Sequence, residues 1–387
     1  MITRARLSHY SLQPGTMPTM LLRALVVSTA VFGALHAYLW LRLVDGPGWP
    51  APWAMIATVA LACLCVLIPV SVLVRLSTRG PAARAVLLTG YLWLGMFLLF
   101  LVAVLITEPI RLVYAEPRVL ALGSLGLAMS AAAWSLVNSR IGPRIKRVQV
   151  DLSKLPASMS GTTIVQISDV HIGGTVTRRH VEALVRKVNR LEPDLIAITG
   201  DLVDGRVDRL GAAAAPLAQL TSRFGTFFVT GNHEYYSHAD EWVALLRGLG
   251  ITVLRNERVR IGSGDASFDL AGVDDPTAKQ RGGASDVTLA CAKRDSEREL
   301  VLLAHQPKSV HDAAANDVGL QLSGHTHGGQ IWPFGYIVSL TQPYMRGLHR
   351  HTARTQIYVS CGTNHWGPPM RLGAAPEITH LVLKRST

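Results

Sequence analysis

Ile164–Gly174 reads IVQISDVHIGG: an apolar run, then Asp169 and His171 two residues apart, then paired glycines. A buried parallel strand that ends in a polar loop has this pattern. The strand is rigid and the loop exposed, so a carboxylate and an imidazole can be held there for metal binding. By itself the pattern Asp-x-His is common in surface loops, and it gains weight only through repetition at other strand ends.

The pattern recurs along the chain. Leu195–Thr199 runs into Gly200-Asp201 and, three residues on, Asp204; Thr226–Thr230 runs into Gly231-Asn232-His233-Glu234. Leu300–Ala304 stops at His305, and Leu320–Ser323 opens into Gly324-His325-Thr326-His327. Between these runs lie helical patterns, among them 177–191 with Val181, Leu184, Val185, Val188 and Leu191 on one face. Ser285 is a candidate cap for a helix leading to Arg294. Alternating strands and helices predict an α/β domain whose ligand crevice sits at the carboxyl ends of its strands. Each polar residue alone has a plain explanation as a turn former or buried histidine. Five successive strand ends carrying Asp, Asn or His point to one shared site.

Outward from this core, the composition divides the chain. Of 387 residues, 38 are Lys or Arg and 26 Asp or Glu. Residues 1–147 hold 13 of the cations and 3 of the acids, leaving 25 and 23 for the rest, so the basic excess is N-terminal. Four apolar segments lie there, 24–41, 53–74, 85–106 and 119–137, each near the ~20 residues a membrane-crossing helix needs. None contains an acid, Lys or Arg. Soluble helices of that length carry a polar face, so a four-span anchor is expected. A cleaved signal peptide is the competing reading of the first segment; its length and the three later segments argue against it. Arg4, Arg6, Arg23, Arg75, Arg79, Arg84, Arg140, Arg144, Lys146 and Arg147 flank one side of the bundle, and Arg42, Arg111 and Arg118 the other. Ten against three puts both ends in the cytoplasm, at the cell membrane. Since the excess charge follows the apolar runs, the bilayer is the expected partner and nucleic acid is not. His36 is the one ionisable group within a span, and Gly123, Gly126 and Ser130 are expected to serve close helix packing. Four cysteines without paired spacing fit a reducing compartment. Residues 139–160 read as a linker with a first strand at 148–152.

The ordered set D-x-H, G-D-x-x-D, G-N-H-E, a lone His and G-H-x-H across Asp169–His327 resembles the calcineurin-like metallophosphoesterases. The resemblance implies a sandwich of two mixed sheets flanked by helices over 161–387, behind an anchor at 1–138. It implies two divalent ions of the Mn, Fe, Zn or Ni class: one on Asp169, His171 and His327, the other on Asn232, His305 and His325, with Asp201 bridging. A bridging carboxylate holds such ions about 3.5–4 Å apart, close enough to share the hydroxide that attacks phosphorus. His233 would serve the leaving group and Asp204 would orient it. Serine/threonine phosphatases of the superfamily carry an arginine after the second aspartate, where this chain has Gly205. That leans toward diesters or pyrophosphates.

Segments 323–330 and 358–371 look most like the membrane-associated bacterial phosphodiesterase branch, which includes enzymes acting on a nucleotide-linked lipid pyrophosphate. Asn364, His365 and Arg371 are candidate substrate contacts. Residues 331–344 hold Trp332, Phe334, Tyr336, Ile337, Leu340 and Tyr344, followed by a basic stretch. They read as a strand hairpin, or as an apolar lip for a lipid-linked phosphate. The expected activity is hydrolysis of a lipid- or nucleotide-linked phosphodiester or pyrophosphate. The alternative is a tethered cyclic-nucleotide or nucleic-acid phosphodiesterase.

Overall fold

The computed structural model describes residues 19–77, 80–114 and 116–386. Arg4, Arg6 and Arg79, three of the ten orienting cations, lie outside them. Four long helices come first: α1 (Thr19–Trp40), α2 (Ala51–Ser77), α3 (Pro81–Arg111) and α4 (Pro117–Ile141). All four are long and apolar enough to cross a bilayer. At 31 residues, α3 extends for about 46 Å, more than the ~30 Å hydrocarbon layer. Near its N-terminal end, Leu87 approaches Gly174 of the following domain.

The bundle packs on small residues, but not the expected ones. Gly123, Gly126 and Ser130 face outward. The buried stripe of α4 is Ala121, Ser124, Ala128, Ala132 and Ser135, whose three- and four-residue steps keep to one helix face. His36 is buried; its Nε2 accepts from the Trp93 indole at 3.1 Å, and its ring stacks on Phe97. It is a satisfied packing group. At the end of the bundle away from the domain, Glu108 pairs with Arg42 and Arg111, while Arg118 donates to the carbonyls of Pro47 and Gly48.

The α/β domain follows as β1 (Arg144–Leu152), β2 (Thr163–Ile167), α5 (Arg178–Asn189), β3 (Leu195–Thr199), α6 (Val207–Ala214), β4 (Thr226–Val229), α7 (Asn232–Tyr236), α8 (Ala239–Gly248) and β5 (Thr252–Val253). Then come β6 (Glu257–Ser263), β7 (Ala266–Gly272), α9 (Val287–Cys291), β8 (Leu300–Leu303), α10 (Val310–Ala315), β9 (Leu320–Ser323), α11 (Gly335–Val338), β10 (Gly347–Arg350), β11 (Gln356–Val359) and β12 (Glu377–Arg385). They form two mixed six-stranded sheets, ordered β1-β12-β2-β3-β4-β5 and β10-β11-β9-β8-β7-β6.

Strand alternation explains the layers. Ile164, Leu195, Ala197, Phe227 and Val229 of the first sheet meet Phe268, Leu270, Val301, Leu303 and Leu322 of the second. The alternate residues Val165, Ile167, Ile196, Ile198 and Phe228 point outward under Val181, Leu184, Val185, Trp242 and Leu246 of α5 and α8. On the far side, Leu300 and Leu302 pack beneath Val287, Ala290 and Ala313 of α9 and α10. With both faces covered, the strands carry no polar face, hence the uninterrupted apolar runs.

Three local expectations change. The stretch after Ile141 is barely a linker: only Gly142 and Pro143 separate α4 from β1, which begins four residues earlier than expected and pairs along its whole length with β12. Asp286, rather than Ser285, caps the helix before Arg294 by accepting from Leu289 N, and that helix ends at Cys291. Residues 331–344 hold a short helix, α11, not a hairpin; the strand comes later, at β10.

Candidate metal centre

The motif strands run parallel to their motif-bearing neighbours, β2, β3 and β4 in one sheet and β8 and β9 in the other, so their carboxyl ends share one edge within each sheet. Just past them the chain must turn sharply, and it does so in an uncommon way. Asp169, His171, Asp201, His325 and His327 all have φ between 49° and 71°. A non-glycine residue in this left-handed region costs on the order of 1–3 kcal/mol and persists where packing over-determines it. Asp and His are among the types that tolerate it best. Five such residues around one pocket mark where the fold gives up stability.

The motif glycines have a steric reason. A Cβ on Gly231 would overlap Asp201 Oδ1, and one on Gly324 would overlap Asp169 Oδ2. Only glycine lets neighbouring loops approach so closely.

The donor atoms converge in three overlapping groups: Asp169, His171 and His327; His171, Asp201 and His233; Asp201, His305 and His325. His171 Nε2 lies 3.1 Å from His327 Nε2, His327 Nε2 3.4 Å from Asp169 Oδ1, and His305 Nε2 3.2 Å from Asp201 Oδ2. Asn232 begins α7 beside His233, whose backbone N–H donates to Asp201 Oδ1 at 2.9 Å. His325 N–H donates to both oxygens of Asp169. Six of the seven expected ligands are buried, His325 nearly so.

Two features fit these residues to metal ions. His305 Nε2 and Asn232 Oδ1 are buried without a hydrogen-bond partner. Leaving such atoms unpaired is costly, and a cation would satisfy both. The imidazoles are also oriented as ligands are. His305 Nδ1–H donates to Thr199 O at 2.7 Å and His171 Nδ1–H to Asp204 Oδ1 at 3.0 Å, which leaves each Nε2 lone pair aimed into the pocket. Imidazole with carboxylate and amide oxygen suits first-row transition ions.

Electrostatics follow from burial opposed by neighbours. Burial disfavours protonated His171, but Asp204, Asp201 and Asp169 outweigh it and push its pKa up to about 9. Burial and then the Arg371 charge hold His327 well below the usual histidine range, in the neutral state a ligand requires. Burial raises Glu234 to about 7, helped by the charge of Asp201.

Asp204 does more than expected. The same Oδ1 that accepts from His171 accepts from His233 Nδ1–H at 2.6 Å, so one carboxylate orients both rings. His233 stands between Tyr236 and Trp366, with ring centroids at 5.4 and 5.8 Å.

The three candidate substrate contacts divide differently. Arg371 is fully buried behind His327: it donates to His327 O and Cys361 O at 2.8 and 2.7 Å, and to Asn364 O. Its backbone N–H donates to Ser135 O of α4 at 3.0 Å, so it links the pocket to the bundle. His365 reaches α4 as well, with Nδ1 3.1 Å from Ser139 Oγ. Asn364 N–H donates to Asp169 O, and its side chain accepts from His365 N. Glu234 has a role that sequence reasoning misses. Its carboxylate accepts from Gly231 N, Asp201 N and Leu202 N, pinning the loops after β3 and β4 together. The spacing Gly231-x-x-Glu234 is that of a capping box and is a legible signal. Asp275, whose Oδ2 accepts from Gln306 Nε2 beside His305, has none.

Residues 162–329 match the family described as calcineurin-like phosphoesterase. The chain is 44% identical over 261 residues to a transmembrane protein with metallophosphoesterase domain from Bos taurus, covering 64% of this chain and 59% of that protein. Its Danio rerio counterpart is 39% identical over 264 residues, covering 66% and 60%. The chain thus spans about three fifths of these vertebrate relatives. An uncharacterized metallophosphoesterase of Aquifex aeolicus is 35% identical over 244 residues, 62% of this chain and 92% of that protein. With the donor geometry and the matched span in agreement, the chain belongs to the calcineurin-like metallophosphoesterase family, and four membrane-length apolar helices precede its family domain.

Proposed function

We propose that the chain is a membrane-anchored, two-metal phosphoesterase that hydrolyses a phosphodiester or pyrophosphate carried by a lipid or a nucleotide, with its domain at the cytoplasmic face of the cell membrane. The observation that carries this reading is the convergence of six expected ligands, Asp169, His171, Asp201, His305, His325 and His327, together with two buried atoms left without a hydrogen-bond partner, His305 Nε2 and Asn232 Oδ1. Two bound dications would lower the pKa of water and draw charge from the phosphoryl oxygens.

The side chains supply the rest. Asp169, His171 and His327 would hold one ion, Asn232, His305 and His325 the other, and Asp201 both. Asp204 fixes His233 by Nδ1, which leaves its Nε2 on the pocket side, 3.9 Å from Asp201 Oδ2. From there it can donate a proton to the leaving oxygen, a contribution of about 10²–10⁴ in rate. Tyr236 and Trp366 pack edge-on against its ring.

A lipid-borne substrate is supported by the surroundings. Ile331 and Met370 are buried in the same apolar cluster as Trp93, Phe97 and Phe100 of α3. Next to Ile331, the side chains of Trp332, Phe334, Tyr336, Ile337 and Leu340 are exposed, Leu340 by 83%. An exposed apolar patch continuous with a membrane bundle is suited to the interfacial layer. The test is turnover by the full chain, reconstituted with Mn, of a nucleotide–lipid pyrophosphate, a soluble phosphodiester and a phosphomonoester. The lipid substrate is expected to be preferred. Preference for the monoester overturns the substrate class, and no turnover of any of the three overturns the activity.

A further inference from the structure

Outside the metal centre, a cavity of about 420 Å³ opens where α4 meets α5. That size falls in the range of small-ligand sites, roughly 300–1,000 Å³. Its walls are of two kinds. Leu136 of α4, packed in the bundle's apolar cluster, lines one side, while Arg140, Lys187 and His180 bring cationic or titratable groups to the other. Among the described residues, no acidic side chain lines it.

The polar groups are available. Arg140 makes no hydrogen bond or ion pair with the described residues. Lys187 Nζ gives one of its three protons to Pro143 O. His365, pinned to Ser139 by Nδ1, also lines the cavity, and its Nε2 is buried without a partner. Two cations with spare N–H groups and no acid among the lining residues call for an anion.

We infer that this cavity binds the phosphate headgroup of an anionic glycerophospholipid, with the lipid's chains lying along α4. The occupant is a lipid rather than a free anion because Arg140 sits on the last turn of a membrane-length helix and Leu136, on the turn before it, gives the cavity an apolar wall on the bundle side. The site is separated from the metal pocket by the loop carrying Val170, so the bound lipid would brace the loop between Asp169 and His171. The inference rests on the membrane-anchored reading but not on hydrolysis.

The experiment uses the full chain, stripped of metal with EDTA and placed in nanodiscs of phosphatidylcholine with or without phosphatidylglycerol, with bound lipid counted by native mass spectrometry. Selective retention of phosphatidylglycerol is expected. The double variant Arg140→Ala, Lys187→Ala should weaken it roughly thirtyfold, each cation near an anionic surface being worth about a fivefold factor. Ala183→Trp, which fills the cavity from an exposed position on α5, should abolish retention and guards against a double variant that fails to fold. Arg186→Ala, on α5 but outside the cavity, should leave it intact. An equal loss in Arg186→Ala would reduce the effect to a diffuse basic surface and overturn the site. Equal retention of phosphatidylcholine, or full displacement by inorganic phosphate, would overturn the lipid. Because the protein carries no metal in this assay, its failure is distinct from a failure of the hydrolase reading.

Discussion

Replacing Asp204 tests the geometry of the centre most sharply, because one oxygen serves two rings. Asp204 Oδ1 accepts from His171 Nδ1 at 3.0 Å and from His233 Nδ1 at 2.6 Å. His171 is an expected ligand and His233 is not, so truncation should produce two separable losses. Asp204→Ala removes the group that fixes the His171 tautomer; loss of such a supporting partner costs about 10–100-fold in metal affinity. It also frees His233, at a cost of about 10²–10⁴ in turnover. His233→Ala should lose the turnover and keep the affinity. Asp204→Asn is a third case. Its amide oxygen can stay where Oδ1 was and accept from both rings, so only the charge is lost. Hydrogen bonds to charged groups are worth about 1.5–3 kcal/mol and neutral ones about 1, so roughly 1 kcal/mol per bond disappears. That is about fivefold in metal affinity and about fivefold in turnover at saturating metal. Mn binding by calorimetry, together with hydrolysis of a soluble diester, reads both effects on the full chain. If Asp204→Ala bound Mn as tightly as wild type, the carboxylate would serve His233 alone and the double role would fall.

Other contacts give further outcomes to measure. Gly324→Ala should lose most metal binding, since its Cβ would collide with Asp169 Oδ2 and Ser168 Oγ; wild-type Mn affinity would refute the steric account. Gly95→Leu should loosen the contact between α3 and the loop at Met370, whose sulfur occupies the space a Cβ would need; faster proteolysis of the 366–372 loop in nanodiscs checks this. Trp332→Ser with Phe334→Ser should depress hydrolysis of a lipid substrate about a hundredfold more than that of a soluble diester, each ring that enters the bilayer being worth at least about 1.5 kcal/mol. Equal losses would remove the lip from substrate capture. Asp317 accepts from Lys154 and Arg294; burial slightly opposes its charge, but these donors hold its pKa below the usual carboxylate value. Its contribution to stability is therefore full above the unfolded pKa and lost as pH falls through the folded one. Asp317→Asn should be less stable than wild type at neutral pH, with the difference vanishing in acid; a gap that persists below the folded pKa would contradict this.

What could be read in advance was set by local rules. Apolar runs ending in Asp, Asn or His signal strand ends, and parallel strands bring those ends to one edge. The clustering of Asp and His side chains was thus legible from spacing, as were the four long helices from length and composition. Contacts between the two halves were not. Nothing in Arg371 announces that its guanidinium turns away from the pocket mouth to three carbonyls while its backbone holds Ser135. Residues 331–344 carry an aromatic density that suits a strand, yet the docking of Ile331 into the bundle leaves the following turn free to coil as α11. Glycines on α4 suggested a close crossing, but side-chain direction around a helix decides which small residues face inward, and the alanine and serine stripe won.

The joint Gly142-Pro143 has a mechanical consequence. A domain hung from a long flexible tether could sample a hemisphere of solution, whereas here α4 passes within two residues into a strand hydrogen-bonded over nine positions to β12. The pocket is held at a fixed height and angle with respect to the helices. Such an arrangement trades reach for alignment. Molecules diffusing in the plane of the sheet of lipids would pass it repeatedly in the same orientation, while those in bulk would have to find it.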